Sequence, residues 1–197
     1  MNTSFKDSQT AQNLMKAFSG ESQARNRYTY YTSKAKDEGY VQISKIFEET
    51  ANHEKEHAKR LYKYLKDAFK GEMITLEHSS YPIMLSDSTL DNLKAAASGE
   101  YEEWSDVYPS FARIARKEGF AEIASTFEHI AVAEKNHETR YNKLIANIEN
   151  KAVFKKSEVK IWKCENCGYT HNGQEAPEVC PACAHPQAYF SLIENTY

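Results

Sequence analysis

The chain is poor in glycine and proline, with seven glycines and five prolines among 197 residues. Between residues 8 and 148, proline occurs only at positions 82 and 109, and glycine falls where helices are expected to turn or end. Both residue types interrupt helices, glycine through its backbone freedom and proline through its missing N–H. Their scarcity leaves little room for a turn-rich fold and predicts long helices over this region.

The sequence also lacks an excess of charge of one sign and any long apolar run. Its formal net charge of -3 and pI near 6.2 give no broad basic field, so neither nucleic acid nor an anionic membrane is an expected partner. No apolar run approaches the length needed to cross a bilayer, and the N-terminal segment MNTSFKDSQT lacks the apolar core of a signal peptide. We therefore expect a cytoplasmic protein.

Cysteine is absent from the chain before Cys164, and all four cysteines then follow as two Cys-x-x-Cys pairs. In a chain without an export signal, this spacing indicates metal binding rather than disulfides.

Apolar periodicity predicts four helices, and the hydrophobic fraction of 41% is enough for a core. The predicted helices lie at about 8–37, 41–69, 88–117 and 120–148, with a long crossover between the second and the third. Asp87 or Ser88 is the expected N-cap of the third helix. The predicted domains are a helical bundle at 1–150, a Lys-rich linker at 151–158 and a small loop-rich β domain at 159–197.

The bundle region contains an internal repeat. The first half contains the motifs Ser19-Gly20-Glu21 and Glu54-x-x-His57, and the second half repeats them in the same order as Ser98-Gly99-Glu100 and Glu134-x-x-His137. The distance between a motif and its copy is one residue longer for the second motif than for the first. Two related helical hairpins joined by a long crossover predict an all-α four-helix bundle of ferritin-like topology.

Glutamate and histidine occupy the middle of the apolar stripes. In the second helix, Glu54 and His57 continue the stripe that runs from Phe47 to Leu61 in steps of three and four. The equivalent inward positions of the other helices are Glu21 in the first, Glu100 and Glu103 in the third, and Glu134 and His137 in the fourth. Five buried carboxylates would repel one another, and each costs several kcal/mol to bury. A dinuclear metal site removes the conflict, and one Glu from each of two helices with Glu-x-x-His from the other two is the carboxylate di-iron arrangement.

The alternative to a metal site is a solvated helix face, on which a lone Glu-x-x-His motif is common. A second copy in the other half of the repeat, in the same phase of an apolar stripe, makes chance a poor explanation. Tyr28 and Tyr108 match one another across the repeat and are expected near the site. A role beside the ligands and plain core packing are equally open for both tyrosines.

The cysteine pairs predict a tetrahedral four-thiolate site formed by Cys164, Cys167, Cys180 and Cys183. Spacing does not separate iron from zinc, and on spacing alone a structural zinc ribbon is the favoured alternative. The dinuclear site shifts the prediction to iron. A site that turns over needs electrons, and a one-electron centre on the same chain would provide them.

Together these motifs resemble the rubrerythrins, proteins with a ferritin-like di-iron bundle and a rubredoxin-like tail. The tail resemblance covers 164–190, with the segments CGY, EAP, CPAC and AHP. The resemblance implies a non-haem di-iron peroxidase that reduces hydrogen peroxide to water in oxidative-stress defence, as a homodimer or larger assembly. It implies two irons in the bundle and one in the tail, where zinc is possible after heterologous expression. The electron donor would be a rubredoxin or an NAD(P)H-dependent rubredoxin reductase.

The resemblance also implies the site residues. The metal ligands are Glu21, Glu54, His57, Glu100, Glu103, Glu134, His137 and the four cysteines. The candidate catalytic residues are Glu103 and His57, together with Tyr28 and Tyr108, which the internal repeat places near the site.

Two other functions use the same bundle. Iron oxidation and storage needs no reducing relay, so the fused cysteine module argues against it. An oxygenase needs an apolar substrate cavity, which the Tyr-rich interior does not indicate.

The third helix is one position longer than the first, because Gly99 and Gly119 lie further apart by one than their mates Gly20 and Gly39. An insertion of this size into a helix with fixed ends predicts a π-bulge, and such bulges favour functional sites. We expect irregular hydrogen bonding within 100–111, where the proline at position 109 already removes one backbone donor.

Glu103 has no carboxylate mate in the repeat, since the matching positions are Gln23 and Ala24. The other four glutamates balance the charge of two ferrous ions, so the reduced site does not need the charge of Glu103. Oxidation adds positive charge, which Glu103 could then help to balance. We therefore predict that Glu103 is a mobile ligand that exchanges with His57 on one iron, as the resemblance also implies.

Overall fold

The computed structural model describes residues 4–76 and 78–193. The ends of the two predicted domains, residues 1–3 and 194–197, lie outside the described residues, as does residue 77 of the crossover. The helices are α1 (Gln9–Asp37), α2 (Val41–Phe69), α3 (Thr89–Glu102), α4 (Tyr108–Glu118) and α5 (Ala121–Glu149), with a π-helical segment at Glu103–Val107 between α3 and α4. The strands are β1 (Lys155–Cys164), β2 (Thr170–Glu175) and β3 (Phe190–Leu192). Helices of 29 residues follow from the long uninterrupted apolar stripes.

The helices form a four-helix bundle from two hairpins. α1 packs along α2, and α5 packs along α3 and α4, which with the π-segment make up the third helix of the bundle. The predicted fold class, a helical bundle followed by a small β module, is confirmed. No helix within the described ranges has the length and apolar character needed to span a bilayer.

Local signals set the helix ends. Ser8 accepts a hydrogen bond from the N–H of Ala11, and Ser88 accepts one from Asp91, so each serine caps a helix N-terminus. Gly119 adopts φ 91° between α4 and α5, a left-handed conformation that favours glycine. The expected N-cap at Ser88 is confirmed.

The expected irregularity in the third helix is also confirmed. The N–H of Tyr108 donates to the carbonyl of Glu103 five residues earlier, so the ladder has π geometry there. Pro109 follows directly, in the first turn of α4, where it has no N–H to give to the backbone ladder.

Two apolar clusters lie above and below the level of the candidate ligands. One contains Leu61 and Phe127, and the other contains Phe47 and Leu93. Glu21, on α1, lies between these layers and is almost fully buried. The core therefore encloses buried carboxylates between two apolar layers.

The C-terminal module is an antiparallel sheet with strand order β2-β1-β3. β1 begins at Lys155, inside the segment expected to be a linker, because Lys155 pairs with Glu175 of β2. Trp162 and Phe190 form its core together with two of the cysteines. The module contacts α2 through an ion pair of 2.6 Å between Lys45 and Glu165.

Candidate metal centre

Six of the seven predicted bundle ligands converge at mid-height and form two overlapping groups. The first group is Glu21, Glu54, His57 and Glu134, and the second is Glu54, Glu100, Glu134 and His137. Within each group the possible ligand atoms lie within 4.8 Å of one another. Because Glu54 and Glu134 belong to both groups, they lie where carboxylates could bridge two metal ions.

Both histidines present the same ring nitrogen to the shared carboxylates. The Nδ1 of His57 lies 3.0 Å from Glu54 Oε2 and 3.0 Å from Glu134 Oε1. The Nδ1 of His137 lies 2.8 Å from Glu134 Oε2 and 3.2 Å from Glu54 Oε1. Each half of the repeat thus supplies one imidazole and one shared glutamate to the cluster.

The donor atoms of the cluster fit metal ions better than they fit one another. Several of these atoms approach one another without the angles of a hydrogen bond. Among the described residues, the buried side-chain atoms without a hydrogen-bond partner include Glu21 Oε2, Glu54 Oε1, Glu100 Oε2, both carboxylate oxygens of Glu134 and His137 Nδ1. Leaving such atoms unsatisfied is costly in a core. Carboxylate oxygens and neutral imidazoles are suitable ligands for iron, so the residues present fit a di-iron site.

The same crowding moves the pKa values of the cluster. Burial and the charge of Glu54 raise the pKa of Glu100 to about 8. Burial opposes protonation of His137, but its contacts with Glu100, Glu134 and Glu54 prevail and raise its pKa to about 12. Burial would raise the pKa of Glu54, yet its contacts with His137 and His57 lower it to about 2. In the metal-free chain, protons therefore take the place of cations.

Tyr28 and Tyr108 each contact a candidate ligand. The hydroxyl of Tyr28 donates to Glu100 with an oxygen separation of 2.5 Å, and the hydroxyl of Tyr108 donates to Glu21. Both rings also pack in the apolar clusters, so contact with a ligand and core packing occur together.

The π-segment keeps these pairs equivalent. Tyr28 follows Glu21 by seven residues, which is two helical turns, whereas Tyr108 follows Glu100 by eight. The extra residue is absorbed between Glu103 and Val107, so the eight-residue spacing still returns to the same face.

Glu103 lies in this π-segment and belongs to neither group of possible ligands. Its half-buried side chain lines a cavity of about 290 Å³ that also touches Tyr108, Gly99 and Gly20. The crossover covers the cavity, held there by a hydrogen bond of 3.1 Å from the Tyr81 hydroxyl to the Lys16 carbonyl. Burial and the charge of Glu21 raise the pKa of Glu103. The structure thus places His57 with the ligand groups and Glu103 beside them, and redox exchange between the two stays a prediction.

His53 lies beside the cluster, although no sequence pattern predicted it there. Its Nδ1 lies 3.1 Å from the Nε2 of His137, on the side of that ring opposite the carboxylates. A lone histidine beside Glu54 gives no sequence signal, because only the packing of α5 against α2 brings His137 to it.

The four cysteines form a second, separate cluster. Cys164 and Cys183 have sulfurs 3.7 Å apart, as do Cys167 and Cys180. A tetrahedron with metal–sulfur distances of about 2.3 Å has edges of about 3.8 Å, whereas a disulfide is far shorter. The spacing therefore fits a four-thiolate metal site.

Comparisons with known proteins agree with both clusters. Residues 12–145 match the family model described as Rubrerythrin, and residues 162–191 match the model described as Rubrerythrin, rubredoxin-like domain. Rubrerythrin-1 of Clostridium acetobutylicum is 57% identical over 194 residues, which cover 98% of this chain and 99% of that protein. The rubrerythrin of Porphyromonas gingivalis is 51% identical over 197 residues, covering 100% of this chain and 96% of that protein.

Solved structures give the same fold. Nigerythrin in its fully reduced, all-ferrous state superposes with a TM-score of 0.63 at 31% identity, over 98% of this chain and 94% of that one. A bacterioferritin of Desulfovibrio desulfuricans reaches a TM-score of 0.63 at 22% identity, over 73% of this chain and 81% of that one, which supports the ferritin-like fold alone. From its sequence over nearly its whole length, the chain belongs to the rubrerythrin family.

Proposed function

We propose that this chain is a peroxidase that reduces hydrogen peroxide to water at the bundle cluster, with electrons entering through the four-cysteine centre. The observation that carries the proposal is the presence, on one chain, of a buried carboxylate–histidine cluster and a four-thiolate cluster. Rubrerythrins are iron-dependent oxidoreductases, and the donor sets fit iron. Iron held by the carboxylates and histidines of the bundle would supply the two electrons needed to break the O–O bond, and iron held by the four cysteines would return electrons one at a time.

The side chains of the bundle have distinct tasks in this proposal. Glu54 and Glu134 hold the two metal positions together, because both groups share them. Tyr28 and Tyr108 orient Glu100 and Glu21 through their hydroxyls. The cavity beneath the crossover admits peroxide to the side of the cluster where Glu103 lies.

Glu103 is the proposed proton donor as well as the proposed mobile ligand. Burial raises the pKa of its carboxyl group, so the acid form can hold a proton on the cavity side of the cluster. Reduction of hydrogen peroxide to two waters takes two protons with the two electrons; Glu103 would give one of them and water in the cavity the other. The Glu103 carboxylate would then be free to take the place of His57. Structures of both redox states test the exchange: identical positions of Glu103 and His57 in the two would contradict it.

The division of the chain supports the same reaction. We propose a catalytic bundle at 1–150, a connection at 151–158 and an electron-transfer module at 159–197. The external donor would be a rubredoxin or a rubredoxin reductase using NAD(P)H, and the working form a cytoplasmic homodimer or larger assembly. The exposed Cys167 edge of the thiolate cluster gives a donor access to the module.

A steady-state assay tests the proposal. Iron-loaded protein, NADH and a rubredoxin reductase are supplied with hydrogen peroxide, dioxygen or Fe(II) as alternative substrates. We expect peroxide to be preferred, with one NADH oxidised per peroxide. Cys180→Ser should abolish NADH-coupled turnover while leaving the bundle metal in place. Fe(II) oxidation with mineral growth, and no peroxide-dependent use of NADH, would instead indicate iron storage.

A further inference from the structure

His53 and His137 meet edge to edge. Their closest nitrogens, Nδ1 of His53 and Nε2 of His137, are 3.1 Å apart, the ring centroids are 5.3 Å apart and the ring planes differ by 12°. The centroid separation exceeds the nitrogen separation by about two ring radii, so the rings are nearly coplanar rather than face to face. This is the geometry of a direct N–H···N hydrogen bond.

The direction of this hydrogen bond follows from the other side of the His137 ring. Its Nδ1 faces Glu54 and Glu134, on the metal side. A metal at Nδ1 leaves the ring proton on Nε2, so His137 donates and His53 accepts. The remaining nitrogen of His53 points towards Glu49 at 3.9 Å, and Arg140 holds Glu49 through two contacts of 3.1 Å.

The repeat does not reproduce this support for the other histidine. By the offset that relates His57 to His137, the position equivalent to His53 in the second half is Ala133. Among the described residues, the Nε2 of His57 makes no hydrogen bond, and the His57 side chain is 18% exposed against 6% for His137. The two candidate histidine ligands therefore make equivalent contacts with the carboxylates through Nδ1, but within the described part of the chain only His137 has a hydrogen-bond partner at Nε2.

We propose that His53 is a positioning residue that fixes His137 as the permanent ligand, while Ala133 leaves His57 free to turn away. Ligand exchange at only one of the two metal positions requires an asymmetric site. The asymmetry would then come from the contact of His53 with the outer nitrogen of His137 as well as from Glu103. This inference rests on the proposed ligand roles of the two histidines. It does not require the protein to reduce peroxide.

Metal binding tests the proposal without any turnover. Protein whose cysteine site is filled with zinc is titrated with Co(II), comparing His53→Ala, His53→Asn and the parent. Removing a hydrogen-bond partner behind a histidine ligand lowers metal affinity by about 10- to 100-fold, so His53→Ala should lose that much at one of the two positions. His53→Asn keeps an acceptor oxygen near the place of Nδ1 and should retain affinity within a few-fold of the parent. His129→Ala, which removes an exposed histidine of α5, is the matched control and should change nothing.

The reciprocal variant supplies the missing partner. Ala133→His should give the Nε2 of His57 an acceptor and raise Co(II) affinity at that position by about tenfold. The Nε2 proton of His137 in zinc-loaded protein gives a second readout, because the acceptor at position 53 in the parent and in His53→Asn should slow its exchange with water, whereas in His53→Ala it should exchange fast. Parental Co(II) affinity in His53→Ala, with an unchanged Nε2–H signal, would overturn the proposal. A parent protein that binds metal normally but reduces no peroxide would count against the proposed function instead and would leave the comparison of metal affinities intact.

Discussion

The hydroxyl of Tyr28 on α1 donates a hydrogen bond to Glu100 on α3, with the oxygens 2.5 Å apart. Its repeat mate, Tyr108, donates to Glu21 on α1, so each half of the bundle orients a candidate ligand of the other. This exchange of support connects the first and third helices across the cluster. It requires Tyr108 and Glu100 to lie on the same face of the third helix, and the π-segment between them keeps them there.

Tyr28→Phe should weaken metal binding while leaving the fold intact. The ring keeps its packing, but Glu100 loses its donor, which we expect to lower Co(II) affinity by about tenfold. Titration of the metal-free protein measures the change. Tyr31→Phe is the matched control, since it also removes a hydroxyl from a buried tyrosine of α1, one that donates to the Met84 carbonyl away from the cluster. Equal losses in the two variants would contradict a specific role for Tyr28.

Metal loading should release protons and strengthen as the pH rises. In the metal-free fold the neighbouring carboxylates outweigh burial and raise the pKa of His137 to about 12, and they raise the pKa of His57 as well. A metal ion binds only unprotonated nitrogen, so loading near pH 7 displaces at least two protons. We expect the overall Co(II) binding constant to rise about a hundredfold per pH unit near neutrality. Calorimetry in buffers of different ionisation enthalpy counts the protons released, and a count of zero would contradict this prediction.

The metal-free fold should show the opposite pH dependence. Each histidine has a folded pKa above its unfolded value of about 6.5, so its stabilisation is complete below that pH and is lost as the pH rises. Burial raises the pKa of Glu100 to about 8, and its ionisation therefore disfavours the fold progressively above its ordinary value. Both effects act in one direction. Thermal melts should show that the metal-free protein is less stable at pH 8 than at pH 6. The metal-loaded protein should instead be more stable at pH 8 than at pH 6.

Gly99→Leu should block the cavity that leads to Glu103. A Cβ added at Gly99 meets no atom within 4 Å, Gly99 lines the cavity, and it lies in a regular helix. We expect kcat/KM for hydrogen peroxide to fall about tenfold, equivalent to about 1.4 kcal/mol, with a larger loss for tert-butyl hydroperoxide. Gly99→Ala is the control, expected to stabilise the helix by up to about 1 kcal/mol and to keep its activity. Unchanged kinetics in the leucine variant, at full metal content, would place the route of peroxide elsewhere.

Ala184→Gly should stabilise the cysteine module. Ala184 follows the second cysteine pair at φ 57°, and Gly168 follows the first at φ 79°. A left-handed conformation costs a residue with a Cβ about 1 kcal/mol, so glycine should raise the unfolding free energy of the metal-loaded module by about that amount. Denaturation followed through thiolate–metal absorbance measures it. Ala182→Gly, in the same turn but without a positive φ, should give no gain.

Much of the bundle follows from sequence because periodicity and burial agree there. Phe47, Glu54 and Leu61 share one stripe, and a buried glutamate in such a stripe already indicates a cation. The π-segment was predicted from the one residue that the third helix has in excess of the first, because a helix with fixed ends can accommodate an extra residue only by a local irregularity.

The rest depends on contacts between elements that are distant in sequence. His53 becomes informative only when α5 brings His137 to it. The start of β1 at Lys155 was missed because a Lys-rich segment has no apolar alternation, and its order comes from pairing with β2. The cavity beside Glu103 depends on where the crossover lies. The hydroxyl of Tyr81 holds the crossover in place by donating to a backbone carbonyl of α1, a contact that no sequence pattern predicts.

The central claim is that peroxide is reduced at the bundle cluster and that the electrons pass through the cysteine centre. Stopped-flow absorbance tests it most directly: fully reduced, iron-loaded protein is mixed anaerobically with hydrogen peroxide while the thiolate-to-iron colour of the tail is followed. We expect rapid loss of peroxide and the appearance of the red tail chromophore. Both should be abolished in Glu134→Ala, and the colour change alone should be abolished in Cys180→Ser. Appearance of the red colour at the parental rate in Glu134→Ala would contradict it.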